Sequence, residues 1–356
     1  MKPLLYSLAI EEAGFTPNTT VYDNQQSFGS FGLVPATPKT CTGAAMPMAL
    51  ALAKSRNCAT AYILKQLDNN GNNGAQRLID FLRKCDFKST IPPYPSIGIG
   101  AVELSLFEMM QGYSIFPGRG FSAKPMYITR IEDRNGNVLA NFVPVRKEVI
   151  SDVTAYSVIK MMQGVMTNGT GAGIWGYDMP AGLDIAGKTG TTNDNSDAWF
   201  MGYTPQLLAG VWVGADDRFV RFNKESKNGE GGRAAMPIWA YFMRKAANDP
   251  ACGLDTKITF TKPEDINTDI QIDYTNGNVP IMSGEGENGG GTTETGYDVG
   301  NNEVIGAESD TSLLGNRPKA TPPPAEQPPA KPGDNRPPAN LPPKTQVPAP
   351  KKSGNG

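Results

Sequence analysis

Apolar residues recur at helical spacing at the start of the chain, where Leu4, Leu5, Leu8 and Ala9 share one face and Gly14 is placed to stop the helix. From Ala44 to Leu67 the pattern is apolar almost throughout, broken once by Ser55-Arg56-Asn57. A polar break inside so apolar a run calls for a reason outside the helix. Further amphipathic helices are expected over Ala75–Cys85, Ser105–Tyr113 and Thr154–Met166, the last ending in Asn168-Gly169-Thr170-Gly171, and a closing helix over Pro237–Ala247. Alternating positions around Asn135-Gly136, from Ile128 to Leu139, predict a hairpin.

A second alternating block runs from Leu183 to Thr192, turns over the polar residues Asn193 to Ser196, and returns along Asp197–Tyr203, with a third strand over Leu207–Gly214. Period two puts Thr189 and Thr191 on one face of the first strand and Lys188 on the other. Gly190 between them leaves backbone that a ligand can approach closely. Helices before and after an antiparallel sheet predict an α+β fold over residues 1–250. Short alternating segments at Lys257–Phe260 and Ile270–Tyr274 suggest a small β appendage over 251–282. From 283 to 356 the chain is rich in Gly and then Pro and has no aromatic residue after Tyr297, so it reads as a disordered, polyproline-like tail.

Composition then narrows the chemistry. The chain has 356 residues, 33 basic and 35 acidic side chains, and no histidine. A Ser-His-Asp triad, a Cys-His pair and a histidine-ligated metal are all excluded, so a hydrolase or acyl transferase built on this chain takes its base from lysine or a carboxylate. Charge near balance, with no Lys/Arg cluster, argues against nucleic acid as a partner. Cys41, Cys58, Cys85 and Cys252 are widely spaced with no C-x-x-C pair, so no zinc site is expected. Cys58 and Cys85 fall in apolar helical patterns and read as buried thiols, with disulfide pairing left open. No cofactor is implied. No apolar run reaches the length of a membrane span and no stretch of this sequence reads as a signal peptide, so nothing in these residues themselves is expected to address them to a membrane.

Two motifs stand in order: Ser55-x-Asn57 in an apolar helical region and Lys188-Thr189-Gly190 on a strand. They match the second and third signatures of the serine acyl transferases that include the penicillin-binding proteins and class A β-lactamases, whose first signature is S-x-x-K. The chain resembles the transpeptidase domain of bifunctional class A penicillin-binding proteins, and the flanks agree: Lys2-Pro3-Leu4-Leu5-Tyr6-Ser7, Gly14-Phe15-Thr16-Pro17, Ala51 to Asn57, Ile131 to Gly136, Ala186 to Thr192 and Asp197 to Pro205. The resemblance implies a serine β-lactamase-like antiparallel sheet flanked by helices, peptidoglycan stem peptides and β-lactams as ligands, other cell-wall synthesis proteins as possible partners, and an intact protein at the outer face of the bacterial inner membrane.

By the same resemblance Lys2 is the catalytic base, Ser55 relays the proton, Asn57 binds the substrate amide, and Lys188, Thr189, Gly190 and Thr191 form the carboxylate and oxyanion side of the site. Lys2 corresponds to the lysine of S-x-x-K, which puts the nucleophilic serine ahead of Met1 and outside this sequence. The expectation is therefore a transpeptidase domain cut short at its N-terminus and inactive as written; the alternative is a non-catalytic fragment that keeps a carboxylate-binding groove. In so shortened a helix Lys2 is expected to fray into solvent with an ordinary pKa. The internal Ser157-Val158-Ile159-Lys160 also fits S-x-x-K, but it follows Ser55-x-Asn57 where the family order puts it first, and it reads as two solvated or half-buried positions on the helix from Thr154 to Met166. Each assignment also has a plainer alternative: Ser55 as a polar helix residue, Asn57 as a satisfied core amide, Lys188 as an exposed strand charge.

Overall fold

In the computed structural model, residues 1–68, 73–272 and 274 are described, and all of them fall in one unit, Met1–Asn302. The N-terminal apolar pattern forms helix α1 (Lys2–Ala13), with Pro3 in its first turn, where no N–H is missed, and Gly14 at φ 69° closing it. A small two-stranded sheet follows, β1 (Thr20–Tyr22) pairing later with β4 (Ala45–Pro47), and between them a short hairpin of β2 (Gln26–Ser27) and β3 (Leu33–Val34).

The long apolar stretch from Ala44 is not one helix. It is β4, then α2 (Met48–Ala53), then α3 (Asn57–Gln66). Ser55 sits at φ 55°, in the left-handed region, and its N–H donates to the Leu52 carbonyl at 3.0 Å while the Arg56 N–H donates to Ala51 at 2.9 Å. These two bonds are the Schellman closure of a helix, with serine in the place glycine usually takes. The backbone conformation costs about 1 kcal/mol in a non-glycine residue, and it turns the serine out of the helix line. That turn supplies the reason for the polar break.

Helices α4 (Gly74–Lys84) and α5 (Leu106–Tyr113) come next, the latter closed by a capping box between Ser105 and Glu108. Strand β5 (Phe121–Ala123) pairs with β8 (Arg146–Glu148), and β6 (Arg130–Glu132) with β7 (Val138–Asn141) around the turn at Asn135-Gly136, as the alternation predicts. Helix α6 (Asp152–Asn168) leads to the three-stranded antiparallel sheet, ordered β11 (Leu208–Gly214), β10 (Asp197–Tyr203), β9 (Ala186–Thr191). Helices α7 (Gly231–Ala234) and α8 (Met236–Asn248) close the domain.

The sheet is covered on both faces. Trp239 of α8 stacks edge-on against Phe200 at 5.2 Å and donates its indole N–H to the Gly202 and Ala209 carbonyls, both at 3.1 Å. Gly202 is required there, because a Cβ would lie 2.9 Å from that indole. On the other face Tyr203 reaches Met162 of α6, and Gly210 opposite Met201 lies against Met110 and Leu106 of α5. Lys188 pairs with Met201 in the register and shares this buried face.

Among residues 251–272 no strand forms, so Lys257–Phe260 is not part of a β appendage; residues 273 and 275–282 of the expected span lie outside the described residues. The chain there instead docks on distant parts of the domain: the Phe260 N–H donates to Asp184 at 3.0 Å and its ring packs on Tyr203 at 5.6 Å. The tail predicted from residue 283 lies outside the described residues.

Candidate active site

The αL turn at Ser55 delivers its hydroxyl to a point between two lysines from distant parts of the chain. Lys2 Nζ, at the start of α1, donates to Ser55 Oγ at 2.9 Å, to the Ser55 carbonyl at 2.6 Å and to Asn57 Oδ1 at 2.6 Å. Lys188 Nζ, from β9, donates to the same Ser55 Oγ at 2.9 Å and to the Thr189 carbonyl at 2.9 Å. Lys2, Ser55, Asn57 and Lys188 therefore form one continuous network. Lys2 does not fray: it opens a regular helix, and its ammonium is enclosed by three acceptors.

Two cations this close cannot both keep an ordinary affinity for protons. Burial, and then the neighbouring Lys188, push Lys2 well below the usual lysine range, against a smaller opposing pull from Asp23. Burial alone brings Lys188 down to about 7. The expectation of an ordinary Lys2 pKa is thus overturned by tertiary enclosure, which the α1 sequence does not record. One lysine of such a pair is readily neutral near pH 7, and its lone pair can then accept the Ser55 hydroxyl proton while the other ammonium donates to the oxygen.

The threonines lie beside this network rather than in it. Thr189 and Thr191 point to the face opposite Lys188; Thr189 Oγ1 is 2.6 Å from Thr170 Oγ1, and Thr191 Oγ1 accepts the Gly231 N–H at 2.8 Å. Among the described residues strand β9 is an edge of the sheet, bonded only to β10, so backbone groups along its outer side are available to a ligand. The close approach expected at Gly190 is made partly by the protein itself, since the backbone at Gly231 packs against the Gly190 carbonyl with no room for a Cβ.

Three contributors were not legible beforehand. Thr170, in the loop that reads as a helix stop, donates its N–H to the Ala53 carbonyl at 3.1 Å and so ties the end of α2 to β9 through Thr189. Asp23, fully buried, accepts the Ala59 N–H at 3.2 Å in the first turn of α3, and Thr42 N–H and Oγ1 at 3.1 and 2.9 Å. Cys58 is not a thiol: it is bonded to Cys41, 5.6 Å away Cα to Cα, whereas Cys85 is the buried thiol expected. Only the fold brings the Cys41 loop beside α3.

The other S-x-x-K is assembled differently. Ser157 Oγ donates to the Val153 carbonyl of its own helix at 2.8 Å, and Lys160 Nζ pairs with Asp269 at 3.2 Å.

Comparison with known proteins places the chain in a family. The family model described as the penicillin binding protein transpeptidase domain matches residues 1–238. Penicillin-binding protein 1A of Vibrio cholerae is 30% identical over 299 residues, covering 70% of this chain and 35% of that protein. Its namesake from Neisseria meningitidis is 33% identical over 257 residues, covering 69% of this chain and 30% of that protein. This chain thus spans about a third of the length of these relatives. Among solved structures, penicillin-binding protein 1A from Haemophilus influenzae superposes with a TM-score of 0.59 at 23% identity, over 70% of this chain and 41% of that one. The penicillin-binding protein PonA1 from Mycobacterium tuberculosis does so with 0.61 at 21%, over 80% and 75%. These two show the same helix-flanked antiparallel fold, and with the match over residues 1–238 the chain belongs to the penicillin-binding protein transpeptidase family.

Proposed function

We propose that this chain is the acyl-transfer domain of a peptidoglycan D,D-transpeptidase that also binds β-lactams. The observation that carries the reading is Ser55 Oγ held at 2.9 Å from both Lys2 Nζ and Lys188 Nζ. Acyl transfer without histidine needs a base that is neutral near pH 7, a relay to the leaving amine and a cation for the terminal carboxylate.

The nucleophile in this reading is a serine three residues before Lys2, a position that precedes Met1. Neutral Lys2 takes its proton as the oxygen attacks the penultimate D-Ala carbonyl of a stem peptide. The proton passes through Ser55 Oγ to the departing D-Ala amine. Asn57 orients the peptide amide; Lys188, Thr189 and Thr191 hold the terminal carboxylate, with the Thr191 N–H at the oxyanion and Gly190 leaving the strand low. An acceptor amine from a second stem peptide then attacks the acyl-enzyme ester, forming the cross-link and returning the serine. The intact protein would work at the outer face of the inner membrane, with other cell-wall synthesis proteins as possible partners; among the described residues no helix is long and apolar enough to cross a membrane.

Fluorescent penicillin tests the reading. The 356-residue polypeptide should take no covalent label, and the protein extended upstream through a serine three residues before Lys2 should take one. An unlabelled extended protein would remove the proposal. Label on the shorter polypeptide, lost in Ser157→Ala, would move the nucleophile to α6.

A further inference from the structure

The first turn of α3 carries Asn57 and has no side-chain cap of its own. Helix starts leave N–H groups without partners, and here one of them, Ala59 N–H, is met by the buried carboxylate of Asp23 at the end of β1. Asp23 is fixed in turn by the loop after β3: its backbone exchanges bonds with Gly43 and Ala44 at 2.9 Å, and its side chain accepts from Thr42. Arg56, between the two motif residues, brings Nε to 3.8 Å from the same carboxylate without a hydrogen bond, and that Nε is buried with no other partner. The disulfide from Cys41 to Cys58 is the covalent tie between this loop and the helix, and Cys58 is the residue next to Asn57.

We propose that the Cys41–Cys58 disulfide, acting with Asp23, is a clamp that positions Ser55 and Asn57 against Lys2 and Lys188, so that the competence of the site depends on the redox state of these two cysteines. They are positioning residues and touch no reacting atom. The loop from Ala36 to Thr40 is exposed, and beyond the disulfide its hydrogen-bonded tie to the helix among the described residues runs through Thr42 to Ala44 and Asp23. Opening the bond therefore releases one side of the α3 start while Asp23 keeps the other. Ser55 is the more sensitive to such a release because its left-handed backbone is maintained by its surroundings.

The reductant is a dithiol. Its thiolate attacks Cys41 Sγ, since Cys41 is half-buried and Cys58 fully buried, and Cys58 leaves as a thiolate. The leaving sulfur lies in the first turn of a ten-residue helix, where the helix dipole favours negative charge. The second thiol of the reductant then displaces the mixed disulfide. Two electrons and two protons pass to the cysteines, and the dithiol is oxidised to its own disulfide.

The structural half of the test is independent of the proposed function. Hydrogen exchange on the 356-residue chain, oxidised and reduced, should show amides 41–44 and 57–60 exchanging at least about tenfold faster after reduction, with β9 and β10 unchanged. The functional half rests on the transpeptidase reading and uses the upstream-extended protein. Its rate of fluorescent-penicillin acylation should fall about tenfold or more on reduction, recover on reoxidation, and be low and insensitive to reductant in the Cys41→Ser/Cys58→Ser variant. Unchanged exchange at 57–60, faster exchange throughout β9 and β10, or local loosening without loss of acylation would each overturn the clamp. If the oxidised extended protein takes no label, the transpeptidase reading fails and exchange alone decides whether the clamp exists.

Discussion

Ser55 with Lys2 and Lys188, and Ser157 with Lys160, use the same two residue types to opposite ends. On α6 the serine and lysine are three apart on one helix, yet the hydroxyl is spent on the carbonyl one turn back and the lysine on Asp269. At Ser55 the partners stand 53 and 133 residues away in sequence, and their nitrogens meet at one oxygen. Local spacing brings groups near one another, but it does not strip them of water or put a second cation beside the first. Those two conditions lower a lysine's proton affinity, and here only convergence of three segments supplies them.

The largest expected effect separates the two sites by substitution. In the upstream-extended protein, Lys188→Ala should reduce the rate of penicillin acylation by about 100-fold or more, the scale of losing one preorganised charge-stabilising donor, whereas Lys160→Ala should stay within about twofold. Comparable losses in the two variants would erase the distinction.

Next comes pH. A lysine whose folded pKa is about 7 binds fewer protons folded than unfolded at any pH from there to the unfolded value near 10.4. Stability therefore rises with pH across that window, by at most about 1.4 kcal/mol per pH unit for one group, and Lys2 adds in the same direction. Urea unfolding between about pH 7 and pH 9, below the range in which exposed tyrosines ionise, should show this rise, and Lys188→Met should flatten it. A slope unchanged by that substitution would mean that Lys188 is solvated.

The smallest effect sharpens the backbone side of the comparison. Ser55→Gly and Ser55→Ala both remove the bridging oxygen, but glycine accepts the left-handed conformation freely. The glycine variant should be more stable than the alanine variant by about 1 kcal/mol in denaturant melts. At Ser157, inside a regular helix, the order should reverse by a similar amount.

Several elements were legible because they depend on local pattern. The amphipathic helices, the Asn135-Gly136 turn and the three-stranded hairpin block appear within a few residues of their expected bounds, since period and turn chemistry are properties of short segments. Alternation misled at Lys257–Phe260, because a strand needs a neighbour and none is present there among the described residues. The break at Ser55 was visible as a break and unexplained, because the partners of its hydroxyl, Lys2 of α1 and Lys188 of β9, lie far from it in sequence.

What the sequence determined by itself was which histidine-dependent chemistries are excluded, and that Ser55, Asn57 and Lys188 stand in motifs whose flanks carry the family. It also determined that Lys188 opposes the two threonines, which follows from the pleat alone. The tertiary structure decided which serine meets which lysine, that Lys2 is enclosed rather than frayed, that Cys58 is paired with Cys41, and that Asp23 caps a helix it does not belong to. Proton affinity, a buried carboxylate's partners and a disulfide all depend on distances between segments far apart in the chain, and those distances exist only once the core has closed around them.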